Sequence, residues 1–419
     1  MKVNERLKKI HYAWFVSIGC CLLFFYGVGL TTGTFAIFLP QLTKELNLTN
    51  TESSSILSVI STIGLFLMIV VGKISNKIGA RRTILFGGIS IALGNLIFSL
   101  ANSLLHCYLG AILVGLGYGC CSTIIIVILL NRWFVKSKGT AIGIAFAGSG
   151  IAIIILTPIL SNIIFNQGMR IAFITQSIII FFISVLTFIL IRDYPRDIGI
   201  EPYGKLLEND TLSNDKENFT FKLSKDTISK KYIIMILIAL LLGVTVQPTV
   251  SHLPSFLISV GYDETIAMSV VSLYGLSMVF WKTFYGFIID SLGGNKTNYI
   301  FFPVWIMTLI FSGIVYRNII FVYIFLLIIG IGPAIATVSL PIWVVDIFHD
   351  GPANSITTTI QIITIAGSSL GMVLFGYLLD LTGSYNITFL LIILFSFMIF
   401  ISISKLYNDN FKRSPEKQI

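Results

Sequence analysis

Charge is scarce in this sequence. Of its 419 residues only 11% are Asp, Glu, Lys or Arg, against about 25% in an ordinary soluble domain. The 28 basic and 19 acidic residues could not cover a water-soluble surface of this size. Cysteine is equally sparse: Cys20–Cys21, Cys107 and Cys120–Cys121 sit in or beside apolar stretches, with no CxxC and no metal-ligand spacing. A zinc site or disulfide framework is therefore disfavoured. There is no P-loop, HExxH or GxSxG, so ATP-driven transport would need a separate subunit. No nucleophile, acid pair or metal cluster falls in the apolar runs, so an enzyme is not expected and no cofactor or metal is called for. Nucleic-acid binding is disfavoured despite the net charge of +9, unless the basic residues cluster, and the inside placement of Lys and Arg derived below accounts for the basic charge without such a partner.

What the sequence has is apolar length. Hydrophobic residues make up 55% of it, and the mean hydropathy is +0.91. Short polar breaks divide the chain into twelve runs at about 12–39, 54–76, 83–101, 105–130, 139–163, 171–191, 232–260, 265–290, 298–316, 319–347, 353–380 and 384–405. A bilayer core needs roughly 20 residues of helix, and in lipid the backbone must satisfy its own hydrogen bonds. The expectation is an all-α membrane protein of twelve transmembrane helices. The basic start, Met1 to Ile10, followed by a run reaching Leu39, reads as an uncleaved first span rather than a signal peptide.

Orientation follows from Lys and Arg. With the N-terminus in the cytoplasm, only Lys44, Arg170 and Arg317 fall outside, Lys282 lies within a span, and the remainder are inside. This bias puts both termini in the cytoplasm of the cell membrane. The one long hydrophilic stretch, 192–231, contains the polar segment Glu208–Glu217 and cannot build a core. It separates an N-terminal six-helix bundle, 1–191, from a C-terminal one, 232–405, with a cytoplasmic tail at 406–419.

Two loops in those halves look alike. Gly72-Lys-Ile-Ser-Asn76-Lys-Ile-Gly79-Ala-Arg81-Arg82 follows span two, and Gly286-Phe-Ile-Ile-Asp290-Ser-Leu-Gly293-Gly-Asn-Lys296 follows span eight. A weaker echo links Gly139, after Arg132-Trp133-Phe134, with Gly351, after Asp346-Ile-Phe348. Their equivalent positions indicate duplicated six-helix pseudo-repeats. Glycine permits tight turns and close helix approach. A carboxylate at a helix end can bond free N–H groups of a neighbouring helix start, and basic groups oppose helix C-termini. Such contacts could hold one arrangement of the halves and break in another; topogenic charge with turn-forming glycine is the simpler reading.

Here the sequence resembles the major facilitator superfamily, whose loop between spans two and three has the form Gly-x-x-x-Asp-Arg-x-Gly-Arg-Arg. Asn76 replaces the usual acid in the first copy, whereas Asp290 keeps it in the second. The resemblance narrows through His11-Tyr-Ala-Trp14-Phe-Val, Asn131-Arg-Trp133-Phe134-x-x-x-Lys-Gly139-x-Ala-x-Gly143 and Arg192-Asp-Tyr-Pro-Arg-Asp-Ile-Gly-Ile-Glu-Pro-Tyr203-Gly. This ordered set is similar to the oxalate/formate antiporter and monocarboxylate transporter branch. The resemblance implies a span-eight cation, four residues before the loop glycine, that contacts a substrate carboxylate. Lys282 holds that position relative to Gly286. An acid found one turn earlier in some members is replaced by Met278, and the second cation of dicarboxylate antiporters is missing, since 353–380 contains no Lys or Arg.

Lys282 is also singled out by cost, because an ionisable residue deep in a span is expensive. It lies eight residues before Asp290, about 12 Å along a helix. The competing reading is a lysine satisfied by carbonyls or hydroxyls of neighbouring helices. His252, between Pro248 and Pro254, could gate or carry a proton, or be a hydrogen-bonded structural group. Tyr26, Thr32, Tyr118, Tyr274 and Gln361 are candidate hydroxyl or amide donors to substrate, with packing as the plainer role for each tyrosine. One central cation suits a monoanion better than a dianion. The expectation is a monomeric secondary transporter of a small carboxylate, probed as proton symport or exchange with a counter-anion. The rivals are an efflux transporter of amphipathic compounds and a non-transporting receptor or sensor on a transporter scaffold.

Overall fold

A computed structural model describes residues 11–204, 230–348 and 353–411. Twelve of its helices are long and apolar enough to cross a bilayer. They are α1 Tyr12–Ile37, α2 Asn50–Ile78, α3 Ala80–Ser99, α4 Leu104–Trp133, α5 Thr140–Gln167, α6 Met169–Leu190, α7 Lys230–Ser251, α8 Glu264–Ile289, α9 Gly294–Val315, α10 Ile319–Val344, α11 Ile356–Thr382 and α12 Asn386–Asn408. Each occupies an apolar run. The segment Glu208–Glu217 and Gly351 lie outside the described residues, as do the side chains of Asp290 and Asn354.

The turns are tighter than the polar breaks suggest. The sequence leaves 77–82 as a loop, yet Gly79 alone, at φ +92°, separates α2 from α3. Gly293, at φ +77°, marks the equivalent turn after α8. A positive φ is open to a residue without Cβ, so the chain reverses with no connecting loop.

The two halves repeat their internal packing. In the first, α1 packs on α5 and α6, α4 on α2 and α3, and α3 on α6; in the second, α7 packs on α11 and α12, α10 on α8 and α9, and α9 on α12. Between the halves the same symmetry exchanges partners, since α2 meets α11 and α8 meets α5. Irregular turns fall in the first and fourth helices of both halves. α1 carries π-helical geometry over Phe25–Gly33, α4 breaks at Cys121–Ser122, α7 stops at His252 beside Pro248 and Pro254, and α10 has a π turn at Ile335–Ser339. Broken helices in a bundle mark where backbone leaves regular pairing to line a path.

The halves touch unevenly. A Cβ on Gly275 of α8 would lie 2.8 Å from Ile153 of α5, and one on Gly150 would collide with Val279. Nearer the end that carries Arg81, Arg132 and Lys296, called the basic end below, Gly143 of α5 and Gly286 of α8 face open space. The bundle is thus closed at the opposite end and splayed at the basic end.

Candidate functional site

Lys282 stands where that splay begins. It lies two helical turns from Gly275 on the same face of α8, one turn beyond Val279 and one turn before Gly286, so it leaves the tight contact and enters the opening. The side chain is half-buried. It makes no hydrogen bond or ion pair with the described residues. The antiparallel register of α5 against α8 sets Phe146 level with it, and Phe146 packs on Phe24 with ring centroids 5.0 Å apart. The register thus places a positive group where the opening starts, level with aromatic surface on α5. An ammonium so placed supplies a point charge with three donors to an incoming anion.

The other candidate donors are dispersed. Tyr274 is buried and donates to the thioether of Met278, one turn along α8, at 3.4 Å. Tyr26 is buried within the first half, where its hydroxyl reaches the Ile84 carbonyl at 3.4 Å and the Cys121 thiol lies at 3.8 Å. Thr32 donates to the Val28 carbonyl of its own helix. Tyr118 packs its ring over Gly64 of α2. Gln361 is half-buried on α11. Among the described contacts, none of these groups is bonded to Lys282.

His252 lies at the opposite end, buried, and bridges the halves. Its Nε2 is 3.2 Å from Ser54 Oγ on α2, and its Nδ1 is 3.1 Å from Tyr385 Oη. Ser54 gives its one proton to the Asn50 carbonyl at 2.6 Å, so it accepts from His252. That leaves Nδ1 to accept from Tyr385, and the neutral imidazole is satisfied at both nitrogens.

Several groups that sequence reasoning passed over close this same end. The Asp380 carboxylate, at the end of α11, accepts from the backbone N–H and side-chain amide of Asn50 at 2.9 Å, and from the N–H and hydroxyl of Thr51 at 2.8 and 2.5 Å. Glu264, at the start of α8, accepts from Gln41 at 2.9 Å and Lys44 at 3.0 Å. Ser369 of α11 sits against Ser58 and Thr62 of α2. These partners are hundreds of residues apart, and no local pattern couples them.

At the basic end the repeated loops are occupied within their own halves. Asp193 accepts from the Arg81 N–H at 2.8 Å and stands beside Gly79, where a Cβ would meet its carboxylate at 2.6 Å. The Arg81 side chain donates to the Phe188 carbonyl at 2.6 Å and lies over the Phe188 ring. Arg132 donates to Asn76 at 3.1 Å and covers Tyr194. In the second half Tyr407 donates to Asp346 at 2.7 Å beside Gly294. The spacing that carries Gly79 to Gly293 also carries Asn76 to Asp290, Arg132 to Asp346 and Asp193 to Tyr407. The two halves thus build one corner from different chemistry. Gly72 follows Val71 in the last turns of α2, and Arg82 and Lys296 are exposed. The start of the long hydrophilic stretch is pinned to this corner. Tyr203 exchanges backbone bonds of 2.9 Å with Trp133 and Val135, and Trp133 donates to the Arg192 carbonyl.

Paired six-helix halves, closed at one end and parting at the other from a half-buried cation onward, define a polytopic membrane transporter. Residues 19–362 match the Major Facilitator Superfamily, and the chain belongs to that family. It is 22% identical to monocarboxylate transporter 12 of Rattus norvegicus, over 91% of this chain and 82% of that protein. The identity to the Homo sapiens protein of the same name is also 22%, over 91% and 77%. In fold it is similar to the nucleoside transporter NupG, at a TM-score of 0.70, 14% identity and 95% and 99% coverage of the two chains. A D-xylose–proton symporter matches at 0.65, 12% identity and 94% and 97% coverage.

Proposed function

We propose that this transporter moves a small monocarboxylate by alternating access, with Lys282 as the group that binds the carboxylate. The observation carrying the reading is the half-buried, unpaired ammonium at the point where α5 and α8 diverge. The similarity to monocarboxylate transporters over most of the chain supports the same class of substrate. Burying an ion without a partner is costly, and a bound carboxylate offsets that cost while its short apolar body meets the surface at Phe24 and Phe146. A single cation favours a monoanion, because a dianion would leave one charge unpaired.

Both termini and the basic end lie in the cytoplasm of the cell membrane, so the conformation described here is open inward. The bundles 1–191 and 232–405, joined by 192–231, rock about the bound anion in a monomer, while the loops from Gly72 to Arg82 and from Gly286 to Lys296 re-pair as the inner end closes. Proton symport and anion exchange are the two coupling modes this arrangement serves.

The test is uptake of labelled lactate, pyruvate, formate and oxalate into proteoliposomes, with Lys282→Gln in parallel. Monocarboxylate uptake by the wild type that falls at least tenfold in the variant is expected. Acceleration by an inward proton gradient identifies symport, and acceleration by internal unlabelled substrate identifies exchange. Flux that ignores Lys282 and responds to amphipathic cations would replace this reading with efflux.

A further inference from the structure

We infer that Asp380 is the latch of the closed end: its carboxylate, carried by the second half, caps the first turn of α2 in the first half and sets how often that end opens. The inference rests on the alternating-access reading, but not on which anion is carried. Opening the closed end must move α2 away from α11, since these helices form the seam between the halves there.

Besides the neutral contacts of His252 and Ser369, two carboxylates bind donors of the other half at this end, and their chemistry differs. Glu264 accepts from the Gln41 amide at 2.9 Å and from Lys44 at 3.0 Å, in an ion pair whose lysine side chain is 69% exposed. Such pairs lose much of their attraction to solvent and to side-chain entropy. Asp380 is exposed as well, but it accepts four donors, two of them the backbone N–H groups of Asn50 and Thr51. Those N–H groups belong to the first turn of α2, have no partner within the helix, and carry the positive end of its dipole. They are fixed by the helix itself, so no side-chain freedom is lost in aiming them.

The packing around the latch leaves it little slack. Gly376, one turn before Asp380, lies on the Asn50 carbonyl, with Ser54 Oγ 2.8 Å from where a Cβ would be. Ser54 in turn ties Asn50 to His252. When the halves part, Asp380 exchanges four protein donors for water and the Asn50 and Thr51 N–H groups lose their acceptor, while the Thr49–Glu52 capping box of α2 stays in place. At the far end of α2 the position that carries an acid in the second half is Asn76, an amide held by Arg132 within its own half.

The test is the distance between spin labels at Asn47→Cys and Asn386→Cys, across the closed end, in full-length protein with its native cysteines replaced and reconstituted in nanodiscs. Asp380→Ala is expected to raise the long-distance population about five- to tenfold, the equilibrium shift that a lost helix cap corresponds to. Asp380→Asn should fall between, and Asp380→Glu should return the distribution towards wild type, which a general loss of packing would not allow. Should Asp380→Ala fail to fold, Asn50→Ala with Thr51→Val removes the two side-chain donors and must give a smaller shift in the same direction. Distributions identical to wild type in folded Asp380→Ala, or in the double variant, overturn the latch. If the wild type carries no monocarboxylate while Asp380→Ala still opens the end, the latch stands and the substrate reading falls.

Discussion

Gly150 of α5 and Val279 of α8 touch so closely that a Cβ on the glycine would overlap the valine methyl Cγ2. The contact lies just on the closed side of Lys282, and in the alternating-access cycle proposed above it is the fulcrum between the halves. Gly150→Val adds volume against a β-branched side chain with one strongly preferred rotamer, and overpacking of this kind costs about 1–3 kcal/mol. The expected outcome is a lower melting temperature and at least a tenfold loss of transport in proteoliposomes. Transport at the wild-type rate would show that the halves do not pivot here.

Gly143 and Gly286 invite the opposite experiment. Neither has an atom within 4 Å of its would-be Cβ, so Gly286→Leu fits the conformation described here without strain. When the halves close at the basic end, the added side chain must occupy the seam between α5 and α8. Gly286→Leu is expected to fold and melt like wild type and to bind substrate from the basic side within about twofold, yet to carry almost no flux. Undiminished flux would mean that this face of α8 stays open throughout the cycle.

The twelve helices were legible because hydrocarbon leaves the backbone few choices, and the apolar runs already have bilayer length. Lys282 was legible for a related reason: a cation in an apolar run is conspicuous whatever surrounds it. The one-residue turns were not, since Lys77 to Arg82 reads as a polar loop until the helices are seen to continue up to Gly79. At the closed end only His252 stood out in the sequence, as a proton carrier or a hydrogen-bonded structural group, and its partners did not. Asp380 and Asn50 are 330 residues apart, and nothing in either neighbourhood names the other. Nor could the sequence say that Tyr26 would spend its hydroxyl inside the first half on Ile84, because helical spacing does not tell which neighbour a face meets.

Gly79 and Gly168 provide a matched pair for the cap on α3. Both have a positive φ, +92° and +88°, but Gly79 lies against Asp193 whereas Gly168 has nothing near. Substitution by alanine at either site forces a positive-φ, extended backbone that is essentially glycine's own on a residue with Cβ, at about 1–3 kcal/mol. Gly79→Ala must in addition push Asp193 away from the Arg81 N–H, a lost helix cap of about 0.5–2 kcal/mol. Gly79→Ala should therefore melt below Gly168→Ala in detergent, and the gap should vanish when both are made in an Asp193→Ala background. A gap that persists there would assign the extra cost to something other than the carboxylate.

Binding through Lys282 can be measured without transport. A ligand that binds only the folded protein stabilises it in proportion to the logarithm of its concentration, by about 2.7 kcal/mol at one hundred times Kd. Saturating monocarboxylate should therefore raise the melting temperature of the wild type by several degrees. Lys282→Gln removes the charge but keeps a donor of similar reach, so its own melting temperature should equal or exceed that of the wild type, a half-buried unpaired charge having been deleted. The ligand-induced rise should disappear in it. Lys282→Arg keeps the charge and should retain part of the rise, reduced because a planar fork fills the space differently from an ammonium. An undiminished rise in Lys282→Gln would place the carboxylate elsewhere in the opening, whereas a rise lost equally in Lys282→Arg would show that the site measures the shape of the cation as well as its sign.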